Sequence, residues 1–560
     1  MTPFWLISWA FALAAGWLLP NHQLPWSTFH TDAWVALLAL IGAFAPIYRF
    51  TSRFNWHVLT CMVAALVFLP WLQFGAGLMP FAGQAWISSA YLLGFLLALL
   101  IGAQWEVADP LQLSHALFLA IGVAAIVSVG LQLGTWLDVI DDSVENIWSM
   151  GLTSNRPYAN FGQPNNLATF LIWGLLACLW AYLTGALGSI SGVFAATFLL
   201  FGLAMTQSRM GYLALTVILA AVWFWRRLWP SKRLPLVATG LYIFFLTCPF
   251  LLRSLNTVLL FGQDSSFVRL AQEGELRLGV WRLFLQAALE RPWVGFGWTS
   301  LTSAQLSVAD QFANLGIAFG SSHNLFLDLV LWAGLPLGLL ISFVLLQWFW
   351  QRLRSIRQSQ DAVLMLMLAV VSIHAMVELP LQYACFLLPT GLIMGILNVR
   401  LGAQVVITSP RSILMGLWLA SALILGLLIR DYFRVEASYN AVRFELARIK
   451  VSNSSVKGPP EVLLLTQFHE LIRFARVNPR PNMSASELQW MREVAVTFPS
   501  AGNLYSVATA LALNKNPQEA RIWLVKTCRV VDQRQCASIK TMWSSDAKKQ
   551  PELALVAWPG

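Results

Sequence analysis

Four side chains in the sequence could together handle a phosphate-linked substrate. His323 opens the apolar run in SSHNLFLDLVLWAGLPLGLL, and it is the only residue of this segment that could accept a proton near neutral pH. Arg209 lies in TQSRMGYL, and Arg277 and Arg282 lie in ELRLGVWRLFLQAALE. A guanidinium binds phosphate oxygens through paired hydrogen bonds, so several arginines on one face would suit a diphosphate.

Each of these residues also has a structural interpretation. His323 could cap a helix or lie at a membrane interface, and the amphipathic run from Leu276 to Leu289 could turn its arginines towards lipid headgroups. GFGW at 295–298 lacks the Lys-Ser/Thr ending of a nucleotide-binding loop. No acidic pair here has metal-ligand spacing, and DxD-like motifs are lacking, which disfavours a metal-dependent nucleotide-sugar transferase. We expect neither a metal ion nor another cofactor.

The stretch NFGQPNN, residues 160–166, places amides at the foot of the apolar run LATFLIWGLLACLWAYL. An amide in lipid is costly unless a partner satisfies it. Pro164 suits the first turn of a helix, and one polar residue before it would be enough for a cap. The stretch holds more amides than a cap needs, so we expect the cluster to bind sugar hydroxyls or a peptide acceptor, through Gln163 first and also through Asn160 and Asn165.

A further polar segment, HAMVELPLQY, follows another apolar run. His374 and Glu378 are four residues apart on one predicted helix face, which favours a hydrogen-bonded pair at the end of a span. Tyr383 follows a break at Pro380. Its phenol could bind a substrate or could be one of the aromatic residues common at membrane interfaces, and the sequence leaves both interpretations open.

Composition identifies the elements that must position these residues. The chain is 58% hydrophobic and only 11% charged, whereas soluble domains carry about 25% charge. It is therefore expected to be an all-α polytopic membrane protein. Runs of about 17–25 apolar residues predict about thirteen transmembrane helices, within 3–20, 33–48, 57–79, 85–104, 114–136, 167–185, 189–207, 211–225, 234–252, 323–350, 362–378, 382–399 and 412–430. The first run predicts a span rather than a cleaved signal.

Charge in the loops predicts the orientation. Arginines and lysines cluster in alternate loops, near 49–53, 226–233, 352–357 and 400–411, which the positive-inside rule assigns to the cytoplasm together with the N-terminus. This topology explains the net charge of +10 without a nucleic-acid partner. The loop ending in NFGQPNN, a large loop at about 253–322 and the tail then face the other side, where all the candidate site residues collect.

Two domains are expected. Residues 1–430 would form the transmembrane domain, and residues 431–560 a polar, helical C-terminal region in which NKNPQ joins two amphipathic helices. Cys528 and Cys536 lie in this region, and a disulfide between them is plausible if the tail is outside the cytoplasm. The other four cysteines lie in or beside apolar runs and are expected to be packing residues.

Five motifs in order carry a resemblance to a known group. They are NRPYANFGQPNNLATFL, QSRMGYL, an R-x-x-x-W followed by PWVGFGW, HNLFLDLVLWAGLPLGLL, and HAMVELPLQY. Their order resembles the O-antigen ligase superfamily, and within it NFGQPNNLAT and ELPLQY resemble the bacterial O-linked protein oligosaccharyltransferases. The architecture of residues 1–430 fits the superfamily, and the C-terminal region fits the subgroup.

The resemblance implies en bloc transfer of a preassembled oligosaccharide from undecaprenyl diphosphate to Ser/Thr hydroxyls of periplasmic proteins such as type IV pilin, at a Gram-negative inner membrane. It implies that His323 is essential and that Arg209 and Arg277 bind the diphosphate, with Arg282 as the alternative to Arg277. It further implicates Gln163 and Tyr383. Inversion at the anomeric carbon without a metal would follow from direct displacement by the hydroxyl.

Three other functions stay open. An O-antigen ligase would use lipid A-core as acceptor, and a glycan polymerase would use two lipid-linked glycans. A membrane transporter, which belongs to a different class, would place polar groups or broken helices near the bilayer midplane. The polar groups here lie at the ends of the predicted spans, which argues against a transporter.

Overall fold

Helices dominate the part of the chain that the computed structural model describes, which comprises residues 3–49, 53–140, 148–150, 156–259, 266–449 and 458–558. Apolar runs form helices because a helix satisfies every backbone polar group within the segment. The helices up to the C-terminal region are α1 (Pro3–Leu18), α2 (Phe29–Arg49), α3 (Val58–Leu66), α4 (Leu69–Gly75), α5 (Ala82–Ala108), α6 (Gln112–Trp136), α7 (Pro164–Leu183), α8 (Ser189–Met205), α9 (Arg209–Phe224), α10 (Leu234–Val258), α11 (Ser266–Glu290), α12 (Leu301–Val308), α13 (Leu325–Ser355), α14 (Ser359–Ala375), α15 (Ala384–Arg400) and α16 (Arg411–Leu446).

Among the described residues, seven helical segments are long and apolar enough to cross a membrane. They are α3 and α4 taken together, α5, α6, α7, α10, α13 and α16. The other predicted spans coincide with shorter apolar helices, namely α1, α2, α8, α9, α14 and α15. The chain is therefore a multi-pass, mostly helical membrane protein, and a total of thirteen crossings stays a prediction.

Two features of the helices were not predicted from hydropathy. Gly334 (φ 81°) interrupts α13, and the segment before α12 packs there, with the Phe296 N–H donating to the Leu331 carbonyl at 2.7 Å. A Cβ at Gly334 would overlap the carbonyl of Trp293, so only glycine fits this approach. At the other end of the chain, α16 continues to Leu446, beyond the predicted end of its span at 430.

A small antiparallel ribbon accompanies the helices. β1 (Arg53–His57) pairs with β2 (Val405–Pro410), with Arg53 opposite Pro410. Two short strands carry too little alternating pattern to be read from the sequence beside long apolar runs. The all-α prediction therefore describes nearly all of the fold but omits this ribbon.

The contacts divide the chain into two units. The first comprises residues 1–65, 91–265 and 344–425, and the second comprises residues 66–90, 266–343 and 426–560. In the first unit, α7 packs against α6, α8, α9 and α14.

The second unit includes the C-terminal helices α17 (Thr466–Phe474), α18 (Ala485–Thr497), α19 (Ala501–Leu513), α20 (Pro517–Val530), α21 (Gln533–Ala547) and α22 (Pro551–Ala554). The predicted helical hairpin around NKNPQ is confirmed by α19 and α20, which share a buried core that includes Leu511 and Leu524. Cys528 and Cys536 form a disulfide that links α20 to α21.

Candidate active site

The amide cluster forms the start of α7. Pro164 occupies the first helical position, as the sequence predicted, and Gln163 is the N-cap residue. The Gln163 side chain does not cap the helix. Its Nε2 instead lies 3.3 Å from Oε2 of Glu378, and Nδ2 of Asn165 lies 3.2 Å from Oε1 of the same carboxylate. Two amides of the predicted substrate-binding set thus meet one acid.

Asn165 also connects this cluster to Arg209. Its Oδ1 accepts a hydrogen bond from the Ser208 hydroxyl at 2.7 Å. Ser208 is the N-cap of α9 and accepts from the Gly211 N–H at 3.3 Å. Arg209 is the first residue of that helix and is partly exposed. The chain of contacts from Glu378 through Asn165 and Ser208 therefore reaches the helix start that bears a predicted diphosphate ligand.

Asn160 has a different environment. It is only 3% exposed, and its Nδ2 donates to the carbonyls of Leu18 and Trp148 at 2.7 and 2.9 Å. Its Oδ1 accepts from the Met150 N–H at 3.1 Å. Both ends of this amide hold the loop before α7, which is a structural role. These contacts add no support to the prediction that Asn160 binds substrate.

Tyr383 lies between a 3₁₀ turn, Pro380–Gln382, and the start of α15. The residue is partly buried. It lines a small cavity whose wall is mostly apolar but includes Asn166, Asp32 and His22, so both interpretations of Tyr383 stay open.

Asp32 is a residue that the sequence analysis missed. It is 5% exposed in the first turn of α2, and its Oδ1 accepts the N–H of Ala384 at 2.7 Å. Its Oδ2 accepts from the hydroxyls of Thr28 and Tyr91, both at 2.6 Å. The carboxylate thereby caps α15 and fixes the backbone directly after Tyr383. An acid at the start of an apolar run is the signal that could have identified it.

His374 and Glu378, the predicted pair, both contact the N-terminal part of α7. The Glu378 N–H donates to the His374 carbonyl at 2.9 Å. The Nδ1 atom of His374, a fully buried residue, lies 2.8 Å from the Thr169 hydroxyl. Since Glu378 meets the first turn of α7 and His374 meets its second, the two side chains hold the end of α14 against this helix.

His323 lies in a fixed turn of the second unit. The residue adopts a left-handed backbone conformation (φ 58°), and its N–H donates to the Ser321 hydroxyl at 2.9 Å. Asp328 is 3% exposed and accepts from the Ser321 hydroxyl and the Ser322 N–H, both at 2.7 Å. This acid within the apolar run therefore shapes the SSHN turn. A residue held outside the common backbone regions is typical of functional sites.

The same turn distinguishes the two arginines of α11. Trp281 donates from Nε1 to the Ser322 carbonyl at 3.0 Å, which brings one face of α11 to the His323 turn. Arg277 is four residues before Trp281 and shares its face, whereas Arg282 is rotated by about 100°. Arg277 is partly buried and Arg282 is exposed. This geometry places Arg277 rather than Arg282 on the side of α11 that meets the His323 turn, and the sequence had given Arg282 as the alternative to Arg277.

The predicted site residues are divided between the two units. Gln163, Asn165, Arg209 and Tyr383 belong to the first unit. His323, Arg277 and Arg282 belong to the second. In the first unit Glu378 contacts Gln163 and Asn165, and in the second unit Asp328 holds the turn that contains His323.

Three protein families match parts of the chain that contain predicted site residues. Residues 157–181, which include the amide cluster, match a protein glycosylation ligase family. Residues 194–342 match the O-antigen ligase family, and residues 362–529 match the C-terminal part of a virulence factor membrane-bound polymerase family. The three matches together contain every predicted site residue except Cys536.

Two relatives from Acinetobacter baylyi extend the similarity over most of the chain. A general O-oligosaccharyltransferase is 30% identical over 534 residues, which cover 92% of this chain and 90% of the relative. A ComP-specific O-oligosaccharyltransferase is 26% identical over 408 residues, or 70% of this chain and 71% of the relative. The chain therefore belongs to the bacterial O-linked protein oligosaccharyltransferases of the O-antigen ligase superfamily.

Proposed function

We propose that this protein transfers a preassembled oligosaccharide en bloc from undecaprenyl diphosphate to Ser/Thr hydroxyls of periplasmic proteins, with type IV pilin as an acceptor. The observation that carries the proposal is the 30% identity to a general O-oligosaccharyltransferase over 92% of the chain. The polar groups at the start of α7, at the end of α14 and in the His323 turn support it, because glycan transfer needs hydroxyl-binding amides and a proton acceptor.

The reaction is a single displacement. The acceptor hydroxyl oxygen forms a bond to the anomeric carbon, the bond from that carbon to the diphosphate oxygen breaks, and its electron pair leaves with undecaprenyl diphosphate. His323 takes the hydroxyl proton, a role that contributes about 10²–10⁴-fold in rate. Arg209 and Arg277 stabilise the charge that develops on the diphosphate, so the reaction inverts the anomeric carbon and needs no metal.

The proposed site faces the periplasm, with the N-terminus in the cytoplasm and thirteen crossings. Contacts within the first unit support this topology, because predicted outer segments meet one another, such as Asn160 with Leu18 and Glu378 with Gln163. Predicted inner loops also meet one another, through the β1–β2 ribbon. In this topology residues 253–322 form the large periplasmic loop and residues 431–560 form a periplasmic domain after a transmembrane domain of residues 1–430.

Purified protein, undecaprenyl-diphosphate-linked oligosaccharide and acceptor pilin test the proposal, with intact-mass analysis of the pilin as the readout and EDTA in a parallel reaction. We expect transfer by the wild type with and without EDTA, and none by His323→Ala that is correctly inserted in the membrane. Wild-type transfer by His323→Ala would contradict the role of His323. Loss of transfer in EDTA would contradict the metal-free mechanism.

The matches to an O-antigen ligase family and to a polymerase family favour a second candidate, in which the acceptor is lipid A-core or another lipid-linked glycan. Comparing cells with and without the gene separates the candidates. Our proposal expects a change in pilin mass with unchanged lipopolysaccharide, and the second candidate expects the reverse.

A further inference from the structure

The contacts of Glu378 determine which end of the Gln163 amide is available to a substrate. We propose that Glu378 is a positioning residue, which holds the Gln163 side chain so that its carbonyl oxygen, Oε1, accepts a hydrogen bond from a substrate hydroxyl. This inference rests on the proposed function, in which Gln163 binds substrate. It adds a residue to the site and gives the chemistry of the group that Gln163 recognises.

The first step is the polarity of the contact. An ionised carboxylate can only accept hydrogen bonds, and an amide donates only through its NH₂ group. Glu378 meets Gln163 through Oε2 at 3.3 Å and Asn165 through Oε1 at 3.2 Å, so both amides must turn their nitrogens towards it. The oxygen of each amide then points away from Glu378.

The second step separates the two amides. Oδ1 of Asn165 accepts from the Ser208 hydroxyl at 2.7 Å, so both ends of that side chain have protein partners. No hydrogen bond between described residues engages Oε1 of Gln163, and this side chain is partly exposed. Gln163 is therefore the amide of this pair that can offer an acceptor to a ligand.

The third step is that the protein holds Glu378 in place. The residue is 8% exposed, and its N–H donates to the His374 carbonyl in the last turn of α14. His374 in turn contacts Thr169 on α7. The carboxylate also lies at the N-terminal turn of α7, where the helix dipole favours a negative charge. The acid and both amides are thus parts of one packed helix junction, so the orientation of Gln163 is set before substrate binds.

The recognised group follows from this polarity. Oε1 of Gln163, beside the Glu378 carboxylate, would repel a phosphate oxygen, whereas it can accept a hydrogen bond from a hydroxyl. Gln163 therefore contacts a sugar hydroxyl of the donor or the Ser/Thr hydroxyl of the acceptor, and the diphosphate lies elsewhere. Both sources share one chemistry, and kinetics with each substrate varied in turn distinguishes them.

A reciprocal exchange tests the proposal. A glutamine at position 378 can donate as well as accept, so Glu378→Gln no longer forces the Gln163 nitrogen to face it. Gln163→Glu places two carboxylates face to face. In the double variant the amide nitrogen of position 378 donates to the carboxylate of position 163, while its amide oxygen still accepts from Asn165. The outer oxygen at position 163 then remains an acceptor. We expect each single variant to lose at least about tenfold in kcat/KM, the size of one lost hydrogen bond, and the double variant to regain most of it.

The measurements are kcat, the KM for the lipid-linked donor and the KM for the acceptor. Each kcat is calculated per folded protein, and thermal unfolding in detergent gives the folded fraction. A raised KM for the lipid-linked donor identifies a sugar hydroxyl, and a raised KM for the acceptor identifies the Ser/Thr hydroxyl. The matched control is the same exchange at Gln489 and Glu493, whose side chains are 2.9 Å apart on α18. We expect this control to leave kcat/KM unchanged.

Three results would overturn the proposal. Glu378→Gln could be as active as the wild type, the losses could vanish after normalisation to folded protein, or the double variant could regain stability but not activity. Wild-type transfer to lipid A-core instead of pilin would contradict the proposed acceptor only. The variant series is measured with whichever acceptor the wild type uses, so the two failures are distinguishable.

Discussion

Arg277 and Arg282 show how neighbouring residues of the same type can have different surroundings. Arg277 shares a helix face with Trp281, which is bonded to the His323 turn, and Arg282 does not. We predict that Arg277→Ala lowers kcat by about 10²-fold, because one donor to a developing charge is lost. Arg282→Ala should change kcat less than about threefold. Initial rates at saturating donor concentration measure both, and equal effects of the two variants would contradict the assignment.

At this scale the sequence identified residue types better than residue roles. It predicted the amide cluster, and the structure divides it: Asn160 holds a loop, Asn165 links Glu378 to Ser208, and Gln163 keeps an unengaged oxygen among the described contacts. Such a division depends on partners far away in the chain. A single sequence without the fold does not reveal that residues 165, 208 and 378 meet.

At the scale of elements, the start of α15 depends on an acid from α2. We predict that Asp32→Ala lowers the free energy of unfolding by about 1–3 kcal/mol, because the Ala384 N–H and the Tyr91 hydroxyl lose a buried acceptor. Transfer activity should fall as well, since Tyr383 adjoins this helix start. Thermal unfolding in detergent and transfer rates measure the two effects.

Tyr91→Phe is the control for Asp32→Ala. It removes one hydrogen bond from the Asp32 carboxylate and leaves the contact with Ala384 in place, so we expect a loss of about 1 kcal/mol and nearly full activity. If Tyr91→Phe reduced activity as strongly as Asp32→Ala, capping of α15 would not be the reason.

Hydropathy predicted the apolar helices because an apolar run in lipid must satisfy its own backbone polar groups, and a helix does so within one segment. Helix ends depend on finer contacts. Near the end of α5, for example, Glu106 accepts from Arg400 at 2.9 Å, and Arg400 also pairs with Asp361. This ion pair between distant segments could not be inferred from local charge.

At the scale of the whole molecule, the distribution of basic residues predicts the orientation in the membrane. We predict opposite labelling of two exposed positions, Lys232 and Arg534, when each is replaced by cysteine. The parent would carry alanine at Cys61, Cys178, Cys248 and Cys385, and would keep the Cys528–Cys536 disulfide, which does not react with maleimide.

A membrane-impermeant maleimide applied to intact spheroplasts reads out the orientation. The thiol at position 534 should react before lysis and the thiol at position 232 only after it. Labelling of position 232 in intact spheroplasts would contradict the proposed topology, and labelling of neither would contradict a periplasmic C-terminal region.

The contact of Asp32 with Ala384 joins residues 352 positions apart, and this separation has a consequence for biosynthesis. At about 5–20 residues per second, the ribosome needs roughly 18–70 s to extend the chain from one to the other. During that interval the carboxylate in α2 is already made, while the helix start that it caps is not. During this time the half-made protein carries a membrane-helix acid that has its Thr28 and Tyr91 partners but still lacks its partner at Ala384.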